Sequence, residues 1–297
     1  MSKILVTGHQ GFVGTRLARE LLRHGHLVGG LETPLGEPID LVDADAVDAC
    51  VMALTPQVVI HLGGVSGPML LNDRPDLVLR INGEGTQNVL SAAARHGVQR
   101  VIYASSVAAF AVPSGGDRAP ETVYGVTKRL GEMLTRLAGR TAGLETCSVR
   151  IGSVFGAGRE TANPMHEMVE AALDRGVVPY GGATLEPCIE VRDCAAMLAG
   201  LATAASLRPS YDAVLYTPTE REVAGLIAEI TGAAVEWTGK GAPTQMFSRS
   251  FDAQSLIADA GVGEVIPLRD ALADLVRFFQ TKRDARKWPA GARQETA

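Results

Sequence analysis

The 297-residue chain carries 28 Lys and Arg against 33 Asp and Glu, a formal net charge of −5. That balance argues against a nucleic-acid partner, which needs a basic surface. Hydrophobic residues make up 46%, enough for a sizeable core in one large domain or two closely joined ones, and no apolar run reaches the ~18 residues of a membrane span.

The elements alternate from the start. Lys3–Thr7 is a short apolar run ending at Gly8, the pattern of a buried strand. Phe12–His24 has helical spacing, with Gly25 as its stop. His26–Leu31 follows as a strand, Ala44–Leu54 as a helix and Val58–Leu62 as a strand. Asp76–His96 fits one long helix, Arg100–Ala104 a strand, Tyr124–Arg140 a helix and Thr146–Ile151 another strand. Such alternation predicts an α/β fold, a Rossmann-type doubly wound parallel sheet covered on both faces. Ligands of such sheets bind beyond the carboxyl ends of the strands. Gly8, His61-Leu62, Ser105-Ser106 and Ile151-Gly152 all fall at predicted strand ends.

After residue 152 the alternation weakens and Gly and Pro increase. The expected organisation is a dinucleotide-binding domain over 1–152 and a smaller mixed substrate region over 153–281, some of whose segments return to the core. A polar tail over 282–297 follows the amphipathic helix Leu268–Gln280 and is expected to fray. The four cysteines, Cys50, Cys147, Cys188 and Cys194, form no C-x-x-C pair and are too scattered for a disulfide framework. With no signal peptide in view, the expectation is a soluble, cytoplasmic protein.

Gly8-x-x-Gly11-x-x-Gly14 lies between a strand and a helix. Glycine suits a sharp turn and the close approach of backbone to a pyrophosphate, and the helix start then offers free N–H groups. Gly8, Gln10, Gly11, Phe12, Val13 and Gly14 are therefore candidate cofactor residues. Glu32 ends the second predicted strand, where a carboxylate accepts from adenosine ribose hydroxyls and repels a 2′-phosphate. No Arg or Lys occurs between Leu27 and Arg74, so NAD is expected rather than NADP. Asp40 and Leu41 could meet the adenine edge, although an Asp opening a helix serves equally as a cap.

Tyr124 and Lys128 are four residues apart and share a helix face. A free tyrosine, with a pKa of ~10, is a poor base at neutral pH. A neighbouring ammonium favours the phenolate, which would let Tyr124 exchange a proton with a substrate alcohol or carbonyl. Lys128 could also hold the nicotinamide ribose. A Ser106 hydroxyl would orient the substrate oxygen. Ser105 and Ile151, at strand ends, join the candidate cofactor contacts. His61 has no second His or carboxylate at ligand spacing, so no metal site is expected.

These motifs, together with V-I-H-L-G-G at 59–64, I-N-G-E-G-T at 81–86, V-I-Y-A-S-S at 101–106, Y-G-V-T-K at 124–128 and V-R-I-G-S-V-F-G at 149–156, resemble the extended short-chain dehydrogenase/reductase superfamily, the NAD-dependent epimerase/dehydratase group. The resemblance runs on through P-C-I-E-V-R-D at 187–193 and F-D-A-Q-S at 251–255. It implies that Ser106 is the catalytic Ser and that His61, Leu62, Gly63 and Gly64 pass beneath the cofactor. It also implies that Asn82 is structural, and that the two long helices pair into a homodimer.

Val107-Ala108 follows Ser106 where sugar dehydratases carry Asp-Glu, and Glu186 stands where many nucleotide-sugar enzymes carry a diphosphate-binding Arg. H-L-G-G-V-S at 61–66 and R-I-G-S at 150–153 resemble instead the uronate and sugar-acid dehydrogenase branch, which implies substrate contacts from Ser66 and Ser153. Val107 departs from that branch, which has Asn there. Arg159 and Arg192, then Arg74, are candidate carboxylate binders, and the loop Ser66–Asp73 is expected over the substrate. The expected function is oxidoreduction of a small polyhydroxylated substrate. The alternatives are a nucleotide-sugar epimerase with tightly bound NAD and a non-catalytic dinucleotide sensor.

Overall fold

The computed structural model describes every residue except 68, 69, 72, 114–117, 183, 240–243 and 288–297. The elements begin β1 (Lys3–Thr7), α1 (Phe12–Arg23), β2 (Leu27–Gly30), α2 (Ala44–Leu54) and β3 (Val58–His61). Next come α3 (Pro75–Leu79), a π-helical segment (Arg80–Glu84), α4 (Gly85–Arg95), β4 (Arg100–Ser106), a 3-10 turn (Val107–Phe110), β5 (Ala111–Val112) and α5 (Val123–Ala142). They continue through β6 (Glu145–Ile151), β7 (Ser153–Phe155), α6 (Pro164–Arg175), β8 (Val177–Tyr180), β9 (Cys188–Glu190) and α7 (Val191–Leu201). The last are β10 (Ser210–Ala213), α8 (Glu220–Thr231), β11 (Ala234–Trp237), β12 (Met246–Phe247), α9 (Gln254–Ala260) and α10 (Leu268–Lys287).

Two compact units emerge. The first comprises Met1–Val154, Pro187–Leu215 and Gln245–Val265. Its sheet has the order β10-β6-β4-β3-β1-β2, and every neighbouring pair is parallel. Because side chains alternate along a strand, Ile4 and Val6 enter a core with Leu17 and Leu21 of α1 and Leu198 of α7. Leu5, between them, enters the opposite core with Val47 and Val51 of α2 and Val89 of α4. The sheet is thus apolar on both faces, as helices on both sides require. β2 and β3 lie on opposite sides of β1, so strand order reverses beside β1, where such sheets bind ligands. The second unit comprises Phe155–Glu186, Tyr216–Thr244 and Ile266–Ala297, with β8 and β11 paired in parallel.

Three differences from the sequence expectation have physical causes. The long helix expected over 76–96 is interrupted at Arg80–Glu84, where Asn82 turns its side chain to other segments and Gly83 and Gly85 weaken helix propensity. β2 ends at Gly30, so Glu32 lies beyond the strand and bridges to Pro38 instead. α10 runs through the start of the expected tail to Lys287, because K-R-D-A-R-K consists mostly of good helix formers and Arg283 bonds the Leu173 carbonyl. The rest of that tail, and part of the loop expected over the substrate, lie outside the described residues.

Candidate active site

Gly8 adopts φ +69° at the end of β1. A β-carbon on Gly14 would collide with the Gly8 carbonyl and the His9 backbone, so α1 can start this close to the turn only with glycine there. Gly11 precedes α1, and no side chain caps the helix. The first N–H groups of α1, at Phe12, Val13 and Gly14, are therefore presented to an anion.

The other walls are set by buried polar bonds. Thr7 and His61 are register partners on β1 and β3. His61 Nδ1 lies 2.6 Å from Thr7 Oγ1, and Nε2 lies 3.1 Å from Thr86 Oγ1. The Thr86 hydroxyl donates to the Asn82 carbonyl, so it accepts from Nε2–H, and Thr7 donates to Nδ1. Burial, then the charge of Lys128, pushes the His61 pKa down to about 3, which keeps the ring neutral. Thr7 Oγ1 accepts from Gly63 N–H at 2.9 Å, which ties the segment Leu62, Gly63 and Gly64 to the end of β1.

Asn82 links that segment to α5. Its amide accepts from Val65 N–H at 2.7 Å and donates to the Val65 carbonyl and to Thr127 Oγ1. Thr127 in turn donates to the Tyr124 carbonyl. Ser66, next to Val65, is exposed. Asp40 accepts from its own Val42 N–H, and the buried Leu41 holds Asn88 through its carbonyl.

Ser105 and Ser106 separate because neighbouring strand residues face opposite ways. Ser105 is buried and donates to Glu132 Oε1 at 2.8 Å. Its hydroxyl proton is thereby committed to Glu132. Ser106 is half-buried, and its Oγ caps the 3-10 turn by accepting from Ala108 N–H at 3.2 Å. That bond uses a lone pair and leaves the hydroxyl proton to be given.

α5 begins at Val123 behind a Thr122 cap, placing Tyr124 and Lys128 in its first two turns. Lys128 is only 7% exposed and donates to the Ala104 carbonyl at 2.9 Å. Its ammonium lies 5.3 Å from the Tyr103 ring centre and 5.7 Å from that of Tyr124. Burial pushes its pKa down to about 8.

Beneath Ser105 runs an ion network that sequence reading missed. Sheet register sets Ser105 beside Arg150 and Arg150 beside Asp212. Arg150 donates to both Glu132 oxygens, at 2.8 and 3.1 Å, and lies 3.3 Å from Asp212, which also meets Arg249 at 2.7 Å. The guanidiniums of Arg129, Arg150 and Arg249 all lie within 5.4 Å of the Phe110 ring centre, in the turn that Ser106 caps. Ile151 and Ser153 flank Gly152 at the end of β6, and Ser153 N–H donates to the Pro187 carbonyl.

The arginines proposed for a substrate carboxylate have partners already. Arg192 faces Glu190 at 3.1 Å, Arg74 faces Asp76 at 3.0 Å, and Arg159 donates to the Thr161 and Ala162 carbonyls of its own loop. Among the described residues, no three His, Cys, Asp or Glu gather as metal ligands.

The chain belongs to the NAD dependent epimerase/dehydratase family, whose model matches residues 4–213. It is 33% identical over 172 residues to a uronate dehydrogenase of Pseudomonas syringae pv. tomato, covering 52% of this chain and 60% of that one. It is 28% identical over 185 residues to a 3 beta-hydroxysteroid dehydrogenase/Delta 5→4-isomerase of Mycobacterium tuberculosis, covering 54% of this chain and 49% of that one. The matched segments thus span 60% and 49% of these two relatives. The fold is similar to the UDP-glucose 4-epimerase of Thermus thermophilus solved with NAD, with a TM-score of 0.77, 24% identity, and coverage of 94% of this chain and 99% of that one. NAD is the cofactor, and the uncapped helix start and the crowded glycine turn fit its pyrophosphate.

Glu132→Ala leaves Arg150 under-compensated in the interior and should destabilise the chain by about 3–5 kcal/mol, against ~1 kcal/mol for Ser105→Ala, read from urea unfolding. Lys128 supplies a pH signature. Folded Lys128 releases its proton near pH 8 and an unfolded lysine near 10.5, so between those values the unfolded chain binds more protons. Its contribution to stability therefore rises with pH through that window, and the burial cost is fully present below it. The stability of Lys128→Met relative to the unmodified chain should fall as pH rises from about 8 to about 10.5.

Proposed function

We propose that this chain is an NAD-dependent dehydrogenase that oxidises an alcohol of a small polyhydroxylated substrate, a sugar or sugar acid, to a ketone or lactone. The observation that carries the reading is the Ser106 cap: accepting Ala108 N–H leaves the Ser106 proton for a substrate oxygen, while α5 supplies Tyr124 and the buried Lys128. Bound NAD supplies the hydride acceptor. Ser106 donates to the reacting oxygen and steadies its developing charge. Tyr124 takes the alcohol proton, and the Lys128 ammonium favours the phenolate that accepts it.

Val107 is buried and apolar, so the position after Ser106 offers no acid or base for water elimination. The likeness to uronate dehydrogenase supports a sugar acid, with Ser66 and Ser153 as substrate contacts. Arg159 or Arg192 would have to exchange an internal partner to bind its carboxylate. Glu32, partly exposed beyond β2, is assigned to the adenosine ribose. Four buried free thiols suit a reducing, cytoplasmic setting.

The working form is assigned as a homodimer. Val123, Val126, Met133 and Leu137 are exposed on α5 at spacings of three and four residues or their sum, a continuous apolar stripe.

A sugar-acid panel incubated with NAD should yield NADH. Tyr124→Phe should lower kcat by about a hundredfold or more without loss of folding. No turnover on the panel, with nucleotide sugars interconverted and no NADH formed, would replace the dehydrogenase reading with the epimerase one. Leu137→Glu should shift the mass by light scattering from dimer to monomer, and an unmodified chain that is monomeric at micromolar concentration refutes the assembly.

A further inference from the structure

The glycine turn carries a side chain that the phosphate-binding reading does not use. His9 follows Gly8 and points along the sheet edge toward the end of β2. Its Nε2 lies 3.2 Å from Glu32 Oε2, with the two side chains 23% and 34% exposed. The ring covers Gly30 so closely that a β-carbon there would fall within it. β1 and β2 are parallel with Val6 opposite Gly30, so the turn leaves β1 level with the end of β2, and His9 needs only to cross one strand. Gly30 has no positive φ to explain its being glycine. Within the described surroundings, the space it leaves is filled by the His9 ring.

We infer that His9 is a positioning residue for the adenosine half of NAD: it holds one oxygen of Glu32 and so aims the carboxylate at the ribose hydroxyls. The inference rests on the assignment of Glu32 to that ribose. Beyond β2, Glu32 is on irregular backbone, and its side chain has three rotatable bonds by which to leave the position that binding requires. A carboxylate fixed by one charge-assisted hydrogen bond presents its other oxygen with less ordering to be done on binding. Gly30 is part of the same device, because its missing side chain is what admits the ring.

The test is a double-mutant cycle on NAD affinity by calorimetry, repeated with ADP-ribose, which keeps the adenosine and lacks the nicotinamide. His9→Ala should weaken both ligands by about fivefold, and raise the KM for NAD without changing kcat. In a Glu32→Ala background, His9→Ala should cost nothing further. Gly30→Ala, which pushes the ring off Glu32, should reproduce the loss with His9 still present, and His9→Gln, which retains a donor, should recover part of it. If Glu32→Ala alone leaves NAD affinity unchanged, the ribose assignment falls and this inference with it. If Glu32→Ala weakens NAD but His9→Ala does not, or if the two losses multiply, the ribose assignment stands and the role of His9 is refuted.

Discussion

The corner where β4 meets α5 depends on a buried carboxylate. Glu132 receives Ser105 from β4 and Arg150 from β6, joining the strand that carries Ser106 to its neighbour. A charge this far from water is costly unless it is paired and hydrogen-bonded, and removing one partner leaves the other uncompensated. The requirement spreads outward: Arg150 brings in Asp212, and Asp212 brings in Arg249. Arg249 lies in the segment after β12, which itself pairs with β5 just past the 3-10 turn. One ion network therefore fastens distant parts of the first unit around the end of β4.

Lys128 follows a different logic. Glu132 is buried with countercharges, whereas Lys128 is buried with a backbone carbonyl and two aromatic rings. Its depressed pKa records an environment that disfavours the ammonium. A site that stabilised this charge fully would leave it with less influence on Tyr124. The chain accepts a local loss of stability at Lys128, next to the ring of Tyr124.

Much of the site was legible in the order of residues. Glycine spacing, the strand before it and the helix after it locate the turn between β1 and α1, because only glycine tolerates its crowding. Tyr124 and Lys128 are legible because four residues is one helical turn. Ser106 is singled out from Ser105 by resemblance, and strand parity adds the physical difference, turning Ser105 toward Glu132. The ion network was not legible: Arg150 and Asp212 are 62 residues apart and meet through sheet register, which local sequence does not encode. His9 was overlooked for a related reason, since motifs built on glycines draw the eye to backbone. The helix over 76–96 was expected to be uniform because its apolar pattern continues smoothly past Asn82.

That interruption sets the phase of α3, which runs directly into it. A π-helical turn accommodates one residue more than an α-helical turn, so α3 is rotated by about 100° relative to where an unbroken helix would put it. Asn82 sits within the segment, and the Thr86 hydroxyl is bonded to its carbonyl. Its side chain can then reach Val65 on one side and Thr127 on the other at the same time. Removing a single residue between Arg80 and Glu84 would turn one of those contacts away. A one-residue deletion there would thus uncouple the segment at Val65 from α5 while leaving the composition and apolar pattern of the helix almost unchanged.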